Sequence, residues 1–372
     1  MIVAVLSWKS DGKPSKYSIF KDKKLIKTSD LWKIGTGKKI YEVKKDENTL
    51  IKLLISLKEI VIVNYKKFVD YFKIIEFQDI VYDYPGDVND DNHQEFVDNN
   101  WDEFGKLWQK LRYSAANVYH GLEIQGVMHE HRLVKPIYDM GVFSGRSSTI
   151  GFNIQGCNKE FNVRHVNPRN DIFLHFDWMA ADHRIAAILS NDKDLLECYK
   201  NSDPYTHIVN ILDGAVDRDQ CKSEFMQAVY GLNPNHEILA VFPIFRDWIS
   251  NKVIELNEVG YVRSMLGRKY ESDKSVKGNR RAFNSIMQGG VAHAMNNVIY
   301  KTNEEYEGII LTEQHDSLTV CVNESMVVKT IKSVSKVMLN PFQGILDNNP
   351  TMPLRIHMGK RWREYKLIKE IR

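Results

Sequence analysis

Residues 171–178, Asp-Ile-Phe-Leu-His-Phe-Asp-Trp, constrain this chain more than any other stretch. Ile172, Leu174 and Phe176 alternate with Phe173, His175 and Asp177, which is the period of a strand. Residues 180–190, Ala-Ala-Asp-His-Arg-Ile-Ala-Ala-Ile-Leu-Ser, then carry apolar side chains at helical spacing. The period changes with almost nothing between, so the chain turns a strand-to-helix corner at Asp177. A carboxylate at such a corner has two readings: it caps the helix, or it projects into a cleft.

A second stretch bears on that choice. Residues 308–322, Gly-Ile-Ile-Leu-Thr-Glu-Gln-His-Asp-Ser-Leu-Thr-Val-Cys-Val, set two apolar runs around Gln-His-Asp-Ser. That pattern predicts a β-hairpin with Asp316 at its tip. Alone, a His-Asp turn is simply solvated. Two aspartates at the ends of separate strands can instead come together and hold two magnesium ions. Such a pair stabilises both the attacking and the leaving oxygen of an in-line phosphoryl transfer.

Between these stretches, residues 218–231 read Arg-Asp-Gln-Cys-Lys-Ser-Glu-Phe-Met-Gln-Ala-Val-Tyr-Gly. Arg218, Lys222, Met226 and Tyr230 recur every fourth residue, so they share one broad helix face. Gly231 and Pro234 supply the stop. Both cations lie toward the N-terminal end, where the helix dipole also favours anions. The face therefore offers a grip for a triphosphate followed by an apolar and an aromatic platform. The competing reading is a solvated basic face with Met226 and Tyr230 in the core.

Composition sets the bounds. A chain of 372 residues exceeds what one core usually serves, so two or three subdomains are expected. A net charge of +3 does not argue for nucleic acid by itself, because acidic residues elsewhere can mask a basic cleft. Cys157, Cys198, Cys221 and Cys321 are scattered, with no CxxC pair, which suggests neither zinc nor a disulfide framework. An intracellular, cytoplasmic setting is the simple expectation. No apolar run approaches the roughly 18 residues that span a bilayer, and residues 1–6 are too short for a signal peptide. No membrane partner is expected.

Along the chain, residues 1–90 are lysine-rich, with strands expected over 2–6, 17–20 and 60–64 and a helix over 48–57. Residues 87–100 are polar and acidic, follow the turn signal Pro85-Gly86, and read as a linker. A helical pattern spans 101–120, and strands and helices alternate beyond Arg146.

The order of these elements resembles motifs A, B and C of family A DNA polymerases. Motif A is similar to residues 177–184, motif B to 218–231, and motif C to His315-Asp316. Residues 143–155 (FSGRSSTIGFNIQ) resemble the family's T-G-R-L-S-S-x-x-P-N-L-Q stretch. Residues 260–269 (GYVRSMLGRK) resemble G-Y-V-x-T-x-x-G-R-R, and 280–290 (RRAFNSIMQGG) resemble R-x-A-x-N-x-x-x-Q-G-T. Residues 353–362 (PLRIHMGKRW) resemble the closing strand and its G-x-x-W. The resemblance covers about residues 136–367.

It implies an α+β right-hand fold. The N-terminal α/β domain over 1–90 would resemble a vestigial exonuclease domain. Linker and reduced thumb would occupy 91–140, palm 141–190, fingers 191–260 and palm again 261–372. It also implies roles. Asp177 and Asp316, with the Trp178 carbonyl, would hold two Mg2+, for which Mn2+ can substitute. Arg218 and Lys222 would bind the incoming triphosphate, with Lys222 also able to protonate the departing pyrophosphate. Met226, Tyr230, Asp182 and Tyr205 would complete the nucleotide site. Arg146 and Gln288 would test the minor-groove edge at the primer end, where acceptors fall in similar places for every base pair. Arg280 and Asn284 would contact DNA, and His315 would hold the primer-terminal phosphate. Primed DNA and dNTPs would be the substrates. A helicase, a single-strand-binding protein or a processivity factor would be its kind of partner.

Several positions depart from the family pattern. Asp182 stands where glutamate is usual, Met226 where an aromatic ring is usual, and Ser317 follows Asp316 where glutamate is usual. Tyr205 occupies the place of a triphosphate-binding histidine, with His207 close by. Met226 and Ser317 also resemble the single-subunit RNA polymerases, so an RNA polymerase or primase-like enzyme remains an alternative. A catalytically silent replisome component is another. The first strand shows Leu6-Ser7-Trp8-Lys9 in place of the Asp-x-Glu a proofreading exonuclease needs, so no such activity is expected. The lysine-, asparagine- and isoleucine-rich composition suits a virus of a low-GC bacterial host.

Overall fold

Strand-forming and helix-forming segments fold as their periods dictate. The computed structural model describes residues 2–8, 14–21, 24–30, 59–63, 80–84, 92–100, 107–201, 203–212, 217–346 and 350–371. At the N-terminal end, β1 (Ile2–Trp8), β2 (Pro14–Lys21), β3 (Lys24–Asp30), β4 (Glu59–Val63) and β5 (Ile80–Tyr84) form one sheet in the order β3-β2-β1-β4-β5. The first three strands pair antiparallel, and β4 and β5 run parallel to β1. Three of these strands lie where alternation places them. The helix expected over 48–57 lies outside the described residues.

Within the stretch read as a linker, residues His93–Asn100 are helical. Helix α1 (His93–Asn100) buries His93 and Val97, four residues apart on one face. Those two positions are too few to stand out from the surrounding acidic and amide residues in sequence. Helix α2 (Leu107–Gln125) realises most of the expected helix and runs five residues beyond it. Short hairpins follow. β6 (Val127–His129) pairs with β7 (Arg132–Val134) and with β10 (Val163–Arg164), and β8 (Ile137–Asp139) pairs with β9 (Ser148–Ile150).

The strand read from residues 171–178 becomes β11 (Ile172–Trp178), the centre of a five-stranded antiparallel sheet. Its order is β14 (Ile310–Glu313), β15 (Ser317–Val322), β11, β16 (Leu354–Gly359), β17 (Lys366–Ile371). β14 and β15 are the expected hairpin.

The chain leaves this sheet through the corner after Trp178. Ala180 adopts a left-handed conformation, which costs roughly 1 kcal/mol for a residue with a Cβ. Neighbouring bonds hold it there: Met179 N–H donates to the Pro353 carbonyl at 3.0 Å, and Arg184 Nε to the Met179 carbonyl at 2.8 Å. An insert follows, built of α3 (Ala181–Ser190), α4 (Lys193–Asn201), α5 (Pro204–Ile211), α6 (Arg218–Tyr230) and α7 (Pro243–Glu258). The small hairpin of β12 (Tyr261–Arg263) and β13 (Lys269–Glu271) leads to the 30-residue α8 (Val276–Glu305), and α9 (Val327–Leu339) follows the β14–β15 hairpin.

The insert has its own core. Phe225, Phe245, Trp248 and Phe283 form a chain of rings with centroids 5.4–5.9 Å apart. A second buried cluster covers the sheet, with Phe176, Trp178, Val320 and Ile356 among its members. Among the described residues the buried side chains gather into these two clusters. Among the described residues no helix is long and apolar enough to cross a membrane.

Candidate active site

Sheet register brings the two aspartates together. Asp177 sits opposite Ser317 on β15 and opposite Arg355 on β16. Asp316 precedes Ser317, and its carbonyl accepts the Trp178 N–H at 3.1 Å. Both aspartates therefore end at the same edge of the sheet. Asp177 caps nothing: the residue before α3 is Ala180, and no side chain caps that helix. The capping reading of the corner is therefore excluded; Asp316 lines the neighbouring cavity and Asp177 lies beside it at the sheet edge.

The electrostatics of this edge are those of crowded carboxylates. Burial, then the neighbouring Asp316, push the Asp177 carboxyl up to about 7, with Arg355 opposing them. Burial also raises Asp316, against its own backbone hydrogen bond and Arg146. Two neighbouring carboxyls held in partial burial form a donor set suited to a hard divalent cation. Among the described residues no group of three or more His, Cys, Asp and Glu side chains is arranged for a metal. Two carboxylates completed by substrate oxygens is a usual arrangement for Mg2+. Trp178 is fixed at this edge by its backbone bond to Asp316 and by its indole, which donates to the Met338 carbonyl at 2.8 Å.

Helix α6 faces this edge. Asp217 caps it, accepting the Asp219 and Gln220 N–H groups at 2.8 and 2.9 Å, as an N-cap aspartate should. Cys221, Phe225, Ala228 and Val229 turn into the core. The opposite stripe of Arg218, Lys222, Met226 and Tyr230 lines a cavity of about 520 Å3, together with Asp182, His183, Tyr205, Asp316 and Arg355. Met226 and Tyr230 are both only partly buried and line the cavity, and Tyr230 also packs against the insert's core. Arg218 is steadied by Asp203, with Nη2 to Oδ2 at 3.1 Å, and lies over the Tyr205 ring. Lys222 is exposed and forms no ion pair with any described residue. Its ammonium is available to an anion.

A small network closes one wall. Arg146 Nη2 donates to Asp182 Oδ1 at 2.7 Å, and the Tyr230 hydroxyl donates to Asp182 Oδ2 at 3.0 Å. Burial, then the charge of Asp182, raise the Tyr230 phenol, so it stays a donor. Burial and Asp203 likewise push Tyr205 up to about 12. The Asn284 amide reaches the Tyr230 carbonyl at 3.2 Å and Arg280 Nε the Gly231 carbonyl at 2.8 Å, so both brace the end of α6. Gln288 lies further along α8, partly buried. His315 is exposed at the hairpin tip with φ 65°.

Among the cavity residues that escaped the sequence reading, His183 and Arg355 stand closest to the chemistry. His183 is buried beside Tyr205, its Nδ1 3.3 Å from the hydroxyl, while its Nε2 has no partner among the described residues. Burial holds its pKa down to about 4, with Asp182 and Lys222 as smaller, opposed influences, so the ring is neutral at neutral pH. His207, the histidine noted in sequence, is exposed and stacks on Phe242 instead. Arg355 is the other; only the pairing of β16 with β11 places it beside Asp177. Nothing local signals either: His183 is adjacent to Asp182 rather than a turn away from it, and Arg355 is far off in sequence.

No protein-family model matches the chain, and no curated protein matches it. Among solved structures it is similar to the POL domain of Pol1 from M. smegmatis in complex with DNA primer-template and dNTP, with a TM-score of 0.54 at 19% sequence identity. The likeness covers 74% of this chain and 56% of that one, so the chain spans little more than half the length of its neighbour. At that identity the likeness speaks to the fold. The chain has the α+β fold of a polymerase domain.

Proposed function

We propose that the chain is a template-directed, primer-dependent DNA polymerase of the family A type. The five-stranded sheet with α3 serves as palm, helices α4–α7 as fingers, and α2 as part of a reduced thumb. The observation that carries this reading is the convergence of Asp316, Lys222, Arg218 and Tyr230 on one cavity, with Asp177 beside Asp316 at the sheet edge. A neighbour that binds primer-template and dNTP supports it.

In the reaction, the primer 3′ oxygen attacks the α-phosphorus of a dNTP, the bond to the β,γ-pyrophosphate breaks, and the proton of the 3′ hydroxyl passes to solvent water. Asp177, Asp316 and the Trp178 carbonyl would hold two Mg2+, which when bound lower the cost of the attacking and leaving charges. Arg218 and Lys222 orient the triphosphate and offset its charge, and Lys222 supplies a proton to the departing pyrophosphate. Tyr230 presents its ring to the nascent pair. Arg146 and Gln288 face the primer end, Arg280 and Asn284 the template side, and His315 the terminal phosphate.

The test is extension of a labelled primer on a template with Mg2+, with dNTPs and NTPs in separate tubes. Extension with dNTPs is expected. Asp177→Ala or Asp316→Ala should abolish it while leaving duplex affinity largely intact, because affinity comes mainly from phosphate contacts elsewhere. Wild-type turnover by Asp177→Ala would refute the assignment. Extension with NTPs and no need of a primer would favour the RNA polymerase or primase alternative, toward which Met226 and Ser317 lean.

A further inference from the structure

Glu313 ends β14 three residues before Asp316, and it is buried, at 2% exposure. A buried carboxylate without a cation persists only if its lone pairs are filled. Here four donors fill them. Oε1 accepts the Tyr119 hydroxyl at 3.1 Å, the Gln155 amide at 2.8 Å and the Ser147 hydroxyl. Oε2 accepts the His315 backbone N–H at 2.7 Å.

The donors come from three separate segments. Tyr119 belongs to α2, Ser147 to the loop that carries Arg146 with Gln155 just past β9, and His315 to the hairpin tip that carries Asp316. His315 is in the left-handed region at φ 65°, unusual for a residue with a Cβ, and its N–H is held in that turn by Glu313. The same carboxylate therefore sets the distance between the Arg146 loop and the Asp316 turn. Ser147, one residue from Arg146, is buried with it.

We infer that Glu313 is a positioning residue that aligns the primer end with the metal-binding edge through its hydrogen bonds to protein donors alone. The inference rests on the polymerase reading. Its chemistry is a charged acceptor joining donors from both sides of the primer site. Glu313→Gln keeps an oxygen for three of those donors but sets an NH2 against the His315 N–H, so it cuts the link to the hairpin alone.

The experiment is single-nucleotide incorporation by full-length enzyme pre-bound to primer-template, across a range of dNTP concentrations. Glu313→Gln should lower the maximal rate about tenfold or more while the half-saturating dNTP concentration changes less than about twofold, since the triphosphate face of α6 is untouched. Ser147→Ala, which loosens the other side of the clasp, should show a smaller defect of the same kind and decides the matter if Glu313→Gln does not fold. The preference for matched over mismatched primer ends should fall in both. A folded variant with the wild-type rate, or a defect confined to dNTP half-saturation, would overturn the inference and leave the polymerase reading standing. A wild-type chain that extends no primer would overturn both.

Discussion

Asp182 shows how one methylene can matter. Its two oxygens are already occupied, one by Arg146 and one by Tyr230, so the carboxylate is tied to the wall of the cavity. A glutamate there would carry the carboxylate about 1.5 Å further, one carbon–carbon bond. Met226, across the cavity, is more adaptable than a ring. Both features should weaken exclusion of a ribose 2′ hydroxyl. Asp182→Glu is expected to raise the ratio of kcat/KM for dNTP over NTP by about tenfold, and Asp182→Ala to lower it, because discrimination is a difference in transition-state binding. If wild type already rejects NTPs strongly and neither substitution moves the ratio, Asp182 is not the gate.

At the scale of an element, α8 depends on two glycines in its middle. An alanine in place of glycine within a helix is ordinarily stabilising by about 1 kcal/mol. At Gly289 the added Cβ would run into the Tyr270 hydroxyl and the Ser144 carbonyl, which are hydrogen-bonded to each other at 3.1 Å. At Gly290 it would meet Ile185 of α3. Overpacking of that kind costs about 1–3 kcal/mol, so it outweighs the propensity gain. Gly289→Ala should therefore lower the denaturant midpoint. It should also slow extension, because Ser144 lies in the loop that carries Arg146. A midpoint at or above that of wild type would show that Tyr270 gives way without cost.

For the whole molecule, His293 ties stability to pH. It lies on α8 near Trp108 of α2, fully buried, and neither ring nitrogen has a partner among the described residues. Burial, then the charges of Arg268 and Arg112, hold its pKa down to about 3. Between about pH 6.5 and 3 the unfolded chain takes up a proton that the folded chain refuses. Stability is thus full above the unfolded value and is lost as pH falls through that window. At about 1.4 kcal/mol per unit, the loss is on the order of a few kcal/mol. His293→Leu should flatten the fall in denaturant midpoint between pH 6.5 and 4. An unchanged slope would assign acid sensitivity to other groups.

Local periodicity carried a large part of this protein. The alternation over residues 171–178, the four-residue spacing from Arg218 to Tyr230, and the apolar runs around His315-Asp316 each encode an element whose geometry depends on near neighbours in the chain. Those elements and the residues on their faces were legible without coordinates. The ordered helix over His93–Asn100 was not, because two buried positions in a polar stretch leave no periodic trace. Nor were the contacts that close the site. Arg355 reaches Asp177 through strand pairing across 178 positions of sequence, Asp182 meets Tyr230 from another helix, and Glu313 gathers donors from α2 and the Arg146 loop. Such contacts depend on how elements pack, and packing is decided by the whole core at once, so no local pattern records it.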